Sequence, residues 1–261
     1  MRPQGLLTRR KKRYSKFMEI LFGMIVILIA GFIQGLTSFG LSIVAIPFLA
    51  RIIPLQEIVP TIIVLAMITN ALVLINSRKE IQFRQFTLLV LMGVLFLPVG
   101  VFSLTYLNPN YLKLFFGVLI TGFSLLLVLK KTFPIKHEKI GYVITGALSG
   151  FLNGSLSLSG PPVVLFLSIQ GVNKDTFRAN ITLYFMILNI IATGIFLANG
   201  LMNRIVIDRI LYFAPALVVG VVGGIVASKK LKDEAFKKLV LVSLLLLGVW
   251  TTISTFINLV R

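Results

Sequence analysis

Two apolar runs, at residues 18–50 and 140–170, exceed the length that a membrane-spanning helix requires. As straight helices they would extend about 50 Å, whereas the hydrocarbon core of a bilayer is about 30 Å thick. Both runs also carry glycine, serine or proline near their middle. The sequence therefore predicts that each run is a broken helix or a short helical hairpin.

Six further apolar segments complete a pattern typical of a polytopic membrane protein. Hydrophobic residues make up 57% of the 261 residues and charged residues only 13%, against about 25% charged in a typical soluble domain. This balance excludes an ordinary soluble enzyme and also a disordered chain, which needs high charge density. The absence of cysteine excludes disulfides, thiolate chemistry and cysteine-ligated metal. We predict an all-α fold with eight transmembrane segments, at about 18–50, 58–76, 86–107, 111–129, 140–170, 177–199, 209–228 and 238–258.

The net charge of +18 is concentrated in short basic clusters between the apolar segments. A soluble protein with this balance would indicate nucleic-acid binding, but in an apolar chain it is typical of cytoplasmic loops. The basic segment 1–17 has three interpretations: the start of a signal peptide, a nucleic-acid-binding arm or a cytoplasmic anchor. The positive-inside rule favours the anchor, because no small-residue cleavage site follows and nothing else indicates nucleic acid.

Two orientations are open at this stage. If each long run crosses the membrane once, both termini and most Lys and Arg residues lie inside, as the positive-inside rule favours. Hairpins would instead invert one half relative to the other and place most basic residues outside. Five lysines within 229–238 fit the first orientation poorly, and inverted repeats with broken helices are common in transporters.

The two long runs are repeats of one another. Residues 31–35, Gly-Phe-Ile-Gln-Gly, match residues 150–154, Gly-Phe-Leu-Asn-Gly, at a shift of 119. Further pairs at shifts of 119 or 120 are Asn70 with Asn189, Gly40 with Gly160 and Gly100 with Gly220. We therefore divide the chain into a basic N-terminal segment (1–17), a first transmembrane repeat (18–129), a linker (130–139) and a second transmembrane repeat (140–261).

Polar groups at membrane depth indicate the candidate site, because they are costly unless they face protein or a water-filled cavity. Residues 34–40 and 153–162 each combine an amide side chain, glycine and hydroxyls in the middle of a long run. Glycine permits tight turns, and Pro161 and Pro162 suit the start of a helix. A helix that begins there would present backbone N–H groups and the positive end of its dipole. With neutral side-chain donors these groups favour an anion site; the alternative is that the small residues only serve close helix packing.

Three residues outside the two breaks join the candidates. Asn70 and Asn189 match across the repeat and lie in the middle of predicted helices, with hydrogen bonding between helices as the alternative role. Arg178 lies at the start of a membrane helix, where it either attracts or gates an anion or extends to the membrane interface. The predicted substrate-binding residues are Gln34, Gly35, Thr37, Ser38, Gly40, Asn70, Asn153, Gly154, Ser155, Ser157, Ser159, Gly160, Pro161, Arg178 and Asn189.

No Asp, Glu, Lys or His lies in the middle of a predicted span. Proton relays usually use such residues, so a carboxylate-based cation pump is disfavoured. The sequence offers no base near an intramembrane serine, as a serine protease needs, and no cluster of metal-ligating residues. It also contains no Walker A motif, which ATPases of the common type use to bind ATP. We predict no enzyme activity, no resident cofactor and no metal.

The two interrupted segments resemble the paired motifs of the TauE/SafE family of sulfite exporters, also called the toluene sulfonate uptake permease family. They read Gly-Phe-Ile-Gln-Gly-Leu-Thr-Ser-Phe-Gly at 31–40 and Gly-Phe-Leu-Asn-Gly-Ser-Leu-Ser-Leu-Ser-Gly-Pro-Pro at 150–162. The resemblance covers most of residues 18–258, including Phe-Arg-Ala at 177–179. It implies a multi-pass carrier of a prokaryotic inner membrane, with sulfite, sulfoacetate, related organosulfonates and other sulfur-containing anions as family substrates. Residues 155–159 depart from the family, which is usually richer in glycine there.

We therefore predict a secondary transporter, an exporter by the resemblance, of small sulfur-containing anions such as sulfite, thiosulfate or organosulfonates. The alternatives are an anion channel or a carrier for another small organic anion. A membrane enzyme or a scaffold subunit would need a titratable centre or a large polar domain. The expected partners are the anion and the lipid bilayer, without nucleic acid; coupling to a proton or a sodium ion and assembly into a homo-oligomer are open.

Overall fold

A computed structural model describes residues 4–77, 86–108, 138–169 and 174–230, with isolated positions between 110 and 125 and between 242 and 257. The predicted segments at 111–129 and 238–258, and most of the linker at 130–139, lie outside the continuously described ranges. In those ranges the chain is α-helical. The helices are α1 (Gln4–Thr37), α2 (Leu41–Leu49), α3 (Leu55–Ser77), α4 (Thr87–Tyr106), α5 (Glu138–Leu156), α6 (Gly160–Ile169), α7 (Lys174–Ala198) and α8 (Arg204–Ser228).

The helices have the surface of a protein that sits in lipid. Among the described residues, five stretches are long and apolar enough to cross a membrane: Met18–Thr37, Leu55–Ile75, Thr87–Tyr106, Asp175–Ala198 and Arg204–Ser228. Large apolar side chains are exposed on several of these helices, among them Ile25, Leu95 and Leu211. A soluble monomer rarely exposes so much contiguous apolar surface. The chain is therefore a multi-pass membrane protein, and the number of eight spans stays a prediction.

Both long apolar runs are broken at their centres. Helix α1 ends at Thr37 and α2 begins at Leu41, while α5 ends at Leu156 and α6 begins at Gly160. The breaks lie inside the interrupted segments that the sequence singled out, 34–40 and 153–162.

Each break contains a serine in the left-handed conformation, and these two serines are 119 residues apart. Ser38 has a φ of 67° and Ser157 a φ of 57°. The Ser38 N–H donates to the Gln34 carbonyl at 2.7 Å, and the Ser157 N–H donates to the Asn153 carbonyl at 2.8 Å. This single bond across the last turn is a common way for a helix to end, although glycine usually occupies the left-handed position.

Close contacts join the first helix of each long run to a helix from the other part of the chain. Helix α1 packs along α8, and α5 packs along α4. A Cβ atom on Gly35 would lie 2.3 Å from the Val221 carbonyl oxygen, and one on Gly154 would lie 2.3 Å from the Leu97 carbonyl oxygen. The glycines thus permit backbone-to-backbone packing, the typical role of small residues between membrane helices.

These contacts correct one predicted pairing. A Cβ atom on Gly100 would lie 2.1 Å from the Phe151 carbonyl oxygen, and a Cβ atom on Gly224 would lie 2.1 Å from the Phe32 carbonyl oxygen. Phe32 and Phe151 match at the shift of 119, so the structural counterpart of Gly100 is Gly224. The predicted counterpart, Gly220, is wrong by about one helical turn.

The first long run turns back on itself. Arg209, near the start of α8, forms ion pairs with Glu19 of α1 at 3.2 Å and with Glu57 at the start of α3. The apolar part of α1 and the whole of α3 therefore begin at the same end of the molecule. Because α2 lies between them and packs against α1, it leads the chain back toward that end. This course corresponds to the helical-hairpin alternative.

The second long run starts from the opposite end. Gln56 at the start of α3 donates from Nε2 to the Leu104 carbonyl near the end of α4, at 3.4 Å, so α4 runs antiparallel to α3. Helix α5 lies parallel to α4, because Gly146 approaches Leu89 and Gly154 approaches Leu97. The hairpin of α5 and α6 therefore points against the hairpin of α1 and α2, and their tips meet inside the molecule.

Candidate functional site

A cavity lies where the two breaks meet. Its volume is about 30 Å³; since a cavity of about 10–15 Å³ already holds one water molecule, the space is small in this conformation. The Ser42 and Ser157 hydroxyl oxygens, one from each hairpin, are 3.1 Å apart across it. The lining residues are Gln34, Phe39, Gly40, Leu41, Ser42, Ile43, Ala66, Asn70, Asn153, Ser157, Leu158, Ser159, Gly160, Phe185 and Asn189.

The Gln34 amide holds the first break in place. Its Nε2 donates to the Ser38 carbonyl at 3.2 Å and to Asn70 Oδ1 at 3.4 Å. Its Oε1 accepts from the Leu41 backbone N–H, at the start of α2, at 3.0 Å. One buried side chain therefore connects the end of α1, the start of α2 and the middle of α3.

A matching amide pair serves the second break. Asn153 Nδ2 donates to Asn189 Oδ1 at 3.2 Å, which repeats the Gln34–Asn70 contact at the shift of 119. The predicted interhelical hydrogen bonding of Asn70 and Asn189 is thus present, and both side chains also line the cavity. A role of either side chain in substrate binding stays a prediction.

Two buried donors at the first break have no hydrogen-bond partner in the described structure. They are the Asn70 amide nitrogen, Nδ2, and the Ser38 hydroxyl. Both residues are fully buried. A buried polar group without a partner costs about 1–3 kcal/mol, so such groups are rare unless a ligand or water completes them. Asn70 lines the cavity, whereas Ser38 lies in the first break, outside the lining.

The start of α2 adds backbone donors. The first hydrogen bond within α2 runs from the Val44 N–H to the Gly40 carbonyl at 3.0 Å. The N–H groups of Ser42 and Ile43 therefore have no acceptor within the helix, and both residues line the cavity. The positive end of the helix dipole lies at the same place, which favours an anion.

The start of α6 is a weaker donor than the sequence suggested. Pro161 and Pro162 occupy its first turn and carry no N–H group, so Gly160 supplies the N–H there. The prediction that this segment supplies the free backbone N–H groups is therefore wrong. Most of these donors belong to the first turn of α2. What α6 contributes is its dipole and a rigid start.

Arg178 lies behind the cavity wall and does not line the cavity. Its side chain is buried, and its guanidinium donates to the Leu36 carbonyl at 3.1 Å and to the Gly35 carbonyl at 2.9 Å. These carbonyls belong to the last turn of α1, where the dipole is negative and acceptors lack partners within the helix. Arg178 thus caps α1 next to Gln34 and does not extend to the membrane interface.

The remaining predicted residues shape the breaks. Thr37 donates to the Ile33 carbonyl at 2.7 Å, and Ser155 donates to the Phe151 carbonyl at 2.8 Å. Gly35 and Gly154 pack against neighbouring helices. The structure therefore gathers eight of the predicted residues at the cavity, which are Gln34, Gly40, Asn70, Asn153, Ser157, Ser159, Gly160 and Asn189.

Sequence reasoning missed Ser42, which lines the cavity and whose hydroxyl oxygen lies 3.1 Å from that of Ser157. Its position two residues after Gly40, in the first turn of a new helix, is the signal that could have identified it. Phe39, Leu158 and Phe185 add an apolar part of the lining that no polar pattern predicts. The site as a whole offers neutral donors around a small, partly apolar space.

Comparison with protein families agrees with this picture. A family model described as Sulfite exporter TauE/SafE matches residues 23–251, a range that contains both breaks and the whole cavity lining. Neither a curated protein nor a solved structure matches the chain. The family match covers most of the 261 residues. The chain therefore belongs to the TauE/SafE family of sulfite exporters, which are membrane transporters.

Proposed function

We propose that this protein is a secondary transporter that exports small sulfur-containing anions, of the class of sulfite, thiosulfate and organosulfonates, across a prokaryotic inner membrane. The observation that carries the proposal is the unpartnered amide nitrogen of Asn70, Nδ2, in a cavity lining that also contains the first turn of α2. A sulfur oxyanion presents several acceptor oxygens in a compact shape. It would accept hydrogen bonds from Asn70 Nδ2 and from the free N–H groups of Ser42 and Ile43 together.

Hydrogen bonds explain how such a site removes an anion from water without an ion pair. A hydrogen bond to a charged group contributes about 1.5–3 kcal/mol. Several converging donors therefore offset the several kcal/mol that burial of an unpartnered charged group costs. Phe39 and Phe185 line the same cavity and would contact the organic part of a sulfonate once the cavity widens around it.

The proposed transport cycle uses two hairpins that enter from opposite ends. We propose that the chain consists of two inverted halves, one opening with α1 and α2 and the other with α5 and α6. Rocking of one half against the other would expose the site to each side in turn, the usual scheme for transporters of this design. The Ser42–Ser157 contact lies at the meeting point of the hairpins and would break and reform during the cycle.

Transport by purified protein in liposomes tests this function. Sulfite, thiosulfate, methanesulfonate and sulfate are offered in turn, and uptake is measured with and without the unlabelled anion on the far side. A carrier shows saturable uptake that the trans anion stimulates. Non-saturating flux without trans stimulation would indicate a channel, and no flux with any anion would refute the proposal.

A matched pair of variants separates the site from general folding. Asn153→Ala removes the donor to Asn189 and is expected to reduce uptake, while Asn199→Ala removes an exposed amide that only contacts the Ile195 carbonyl. Equal activity of the two variants would place the site elsewhere. Proton or sodium coupling is read from the same vesicles by imposing each ion gradient separately.

A further inference from the structure

Asn70 and Asn189 each have a cavity-lining neighbour one helical turn earlier on the same helix. On α3 this neighbour is Ala66, four residues before Asn70. On α7 it is Phe185, four residues before Asn189. Ala66 and Phe185 are 119 residues apart and therefore occupy the same place in the two repeats. The repeat thus has a methyl group at one position of the cavity wall and an aromatic ring at its counterpart.

These two positions lie on opposite sides of the asparagines. The Thr193 hydroxyl of α7 donates to Met67 Sδ of α3 at 3.3 Å. Thr193 follows the asparagine of α7 by four residues, whereas Met67 precedes the asparagine of α3 by three. The two helices therefore run antiparallel past the cavity, so Ala66 lies toward one end of the cavity and Phe185 toward the other.

The Phe185 end of the cavity is aromatic. A Cβ atom on Gly160 would lie 3.8 Å from Phe185 Cζ and 3.5 Å from Phe39 Cβ, so both phenylalanines lie against the start of α6. Pro161 and Pro162 follow in the first turn of this helix and have no N–H group. This end therefore offers few donors to the oxygens of an anion and a contact surface to apolar groups.

The Ala66 end of the cavity has the donors. Leu41 and Gly160, the first residues of α2 and α6, are also 119 residues apart, so Ala66 stands to α2 as Phe185 stands to α6. At this end Asn70 Nδ2 has no partner among the described residues, and the first-turn N–H groups of α2 have no acceptor within the helix. Because a charged group is buried at low cost only where hydrogen bonds replace those to water, the head of an anion belongs at this end.

We infer that an organosulfonate binds with its anionic head toward Ala66 and Asn70 and its organic group toward Phe185, and that the Phe185 ring sets the longest organic group that the site accepts. This inference rests on the proposed function and adds the orientation and the size limit of the substrate. The cavity volume of about 30 Å³ agrees with a limit at short organic groups. The methyl group of Ala66 leaves room for the oxygens of the head.

Equilibrium binding to the purified full-length protein tests the size limit, with the unbranched alkanesulfonates from methanesulfonate to pentanesulfonate as probes. These anions share one head and one charge and differ only in length. In the wild type, affinity should fall beyond a short optimal chain. In Phe185→Ala the optimum should move to a longer chain, because each newly buried methylene tightens binding by about fourfold. Butanesulfonate should then bind at least about tenfold more tightly than to the wild type, and methanesulfonate within about threefold of it.

Three further variants separate the size limit from folding. Ala66→Leu fills the head end and should weaken every alkanesulfonate by about tenfold or more without moving the optimum. Phe185→Leu is a milder change and should move the optimum less than Phe185→Ala does. Phe196→Ala opens a similar space at a buried phenylalanine of α7 outside the cavity lining; it should lower the melting temperature and keep the wild-type dependence on length.

The outcomes distinguish this inference from the proposed function. Folded Phe185→Ala protein with the wild-type optimum, or an optimum that Ala66→Leu moves and Phe185→Ala does not, overturns the orientation and the size limit and leaves the anion site standing. Failure of sulfite and of every alkanesulfonate to bind the folded wild type overturns the proposed function together with this inference.

Discussion

Replacing Asn70 by leucine should separate binding from stability. The leucine side chain has nearly the same size but neither donates nor accepts a hydrogen bond. In the protein without ligand, the change removes a buried Nδ2 that has no partner. It also removes Asn70 Oδ1, which accepts a long hydrogen bond of 3.4 Å from Gln34 Nε2. Gln34 Nε2 retains its hydrogen bond to the Ser38 carbonyl at 3.2 Å.

The expected magnitudes follow from these contacts. Loss of an unpartnered donor relieves about 1–3 kcal/mol of desolvation, so the melting temperature should stay the same or rise. Loss of a hydrogen bond to a bound anion costs about 1.5–3 kcal/mol, which corresponds to roughly 10- to 150-fold weaker binding. Thermal unfolding and isothermal binding of methanesulfonate measure the two quantities on one preparation. The reasoning is refuted if Asn70→Leu lowers the melting temperature by several degrees while its affinity stays within twofold of wild type.

Three further changes test the architecture. Single cysteines at positions Met18 and Ile52 should be labelled from the same side of the membrane, because the first hairpin returns to its starting end; labelling from opposite sides would show a single crossing. Gly154→Val should prevent close packing of α5 on α4, since even a Cβ atom would lie 2.3 Å from a backbone oxygen, and size-exclusion profiles should show lost or aggregated protein. Gly194→Ala, with no atom within 4 Å of the added Cβ, is its control and should behave as wild type. Arg209→Met should lower the melting temperature by several degrees, because two partly buried carboxylates lose their cation; an unchanged value would show that these ion pairs contribute little.

The location of the site could be predicted from sequence because helix breaks have a chemical signature. Serine, glycine and proline in the middle of an apolar run disfavour a continuous helix. The duplication places such residues at matching positions in both long runs. The structure places the breaks at 38–40 and 157–159, inside the predicted segments. The amide pairs followed from the same shift of 119, since Gln34–Asn70 and Asn153–Asn189 repeat one contact.

Other features depend on three-dimensional packing that no residue pattern encodes. The course of the first hairpin appears only when Glu19 and Glu57 meet on Arg209, residues distant in sequence. Arg178 lies where a snorkelling side chain would be expected, and only the position of α1 shows that it caps the Gly35 and Leu36 carbonyls. The count of basic residues favoured single crossings because it compares only the charges of the loops on the two sides. It contains no information on contacts inside the membrane.

The most direct test of an anion site at the paired breaks is to locate a bound anion. Selenite resembles sulfite in shape, and selenium gives anomalous diffraction that the sulfur atoms of the protein do not give at the selenium edge. In crystals soaked with selenite, we predict an anomalous peak within hydrogen-bonding distance of Asn70 Nδ2 and the first-turn N–H groups of α2. A peak at Arg209, at the outer surface, or nowhere in the cavity would contradict the account.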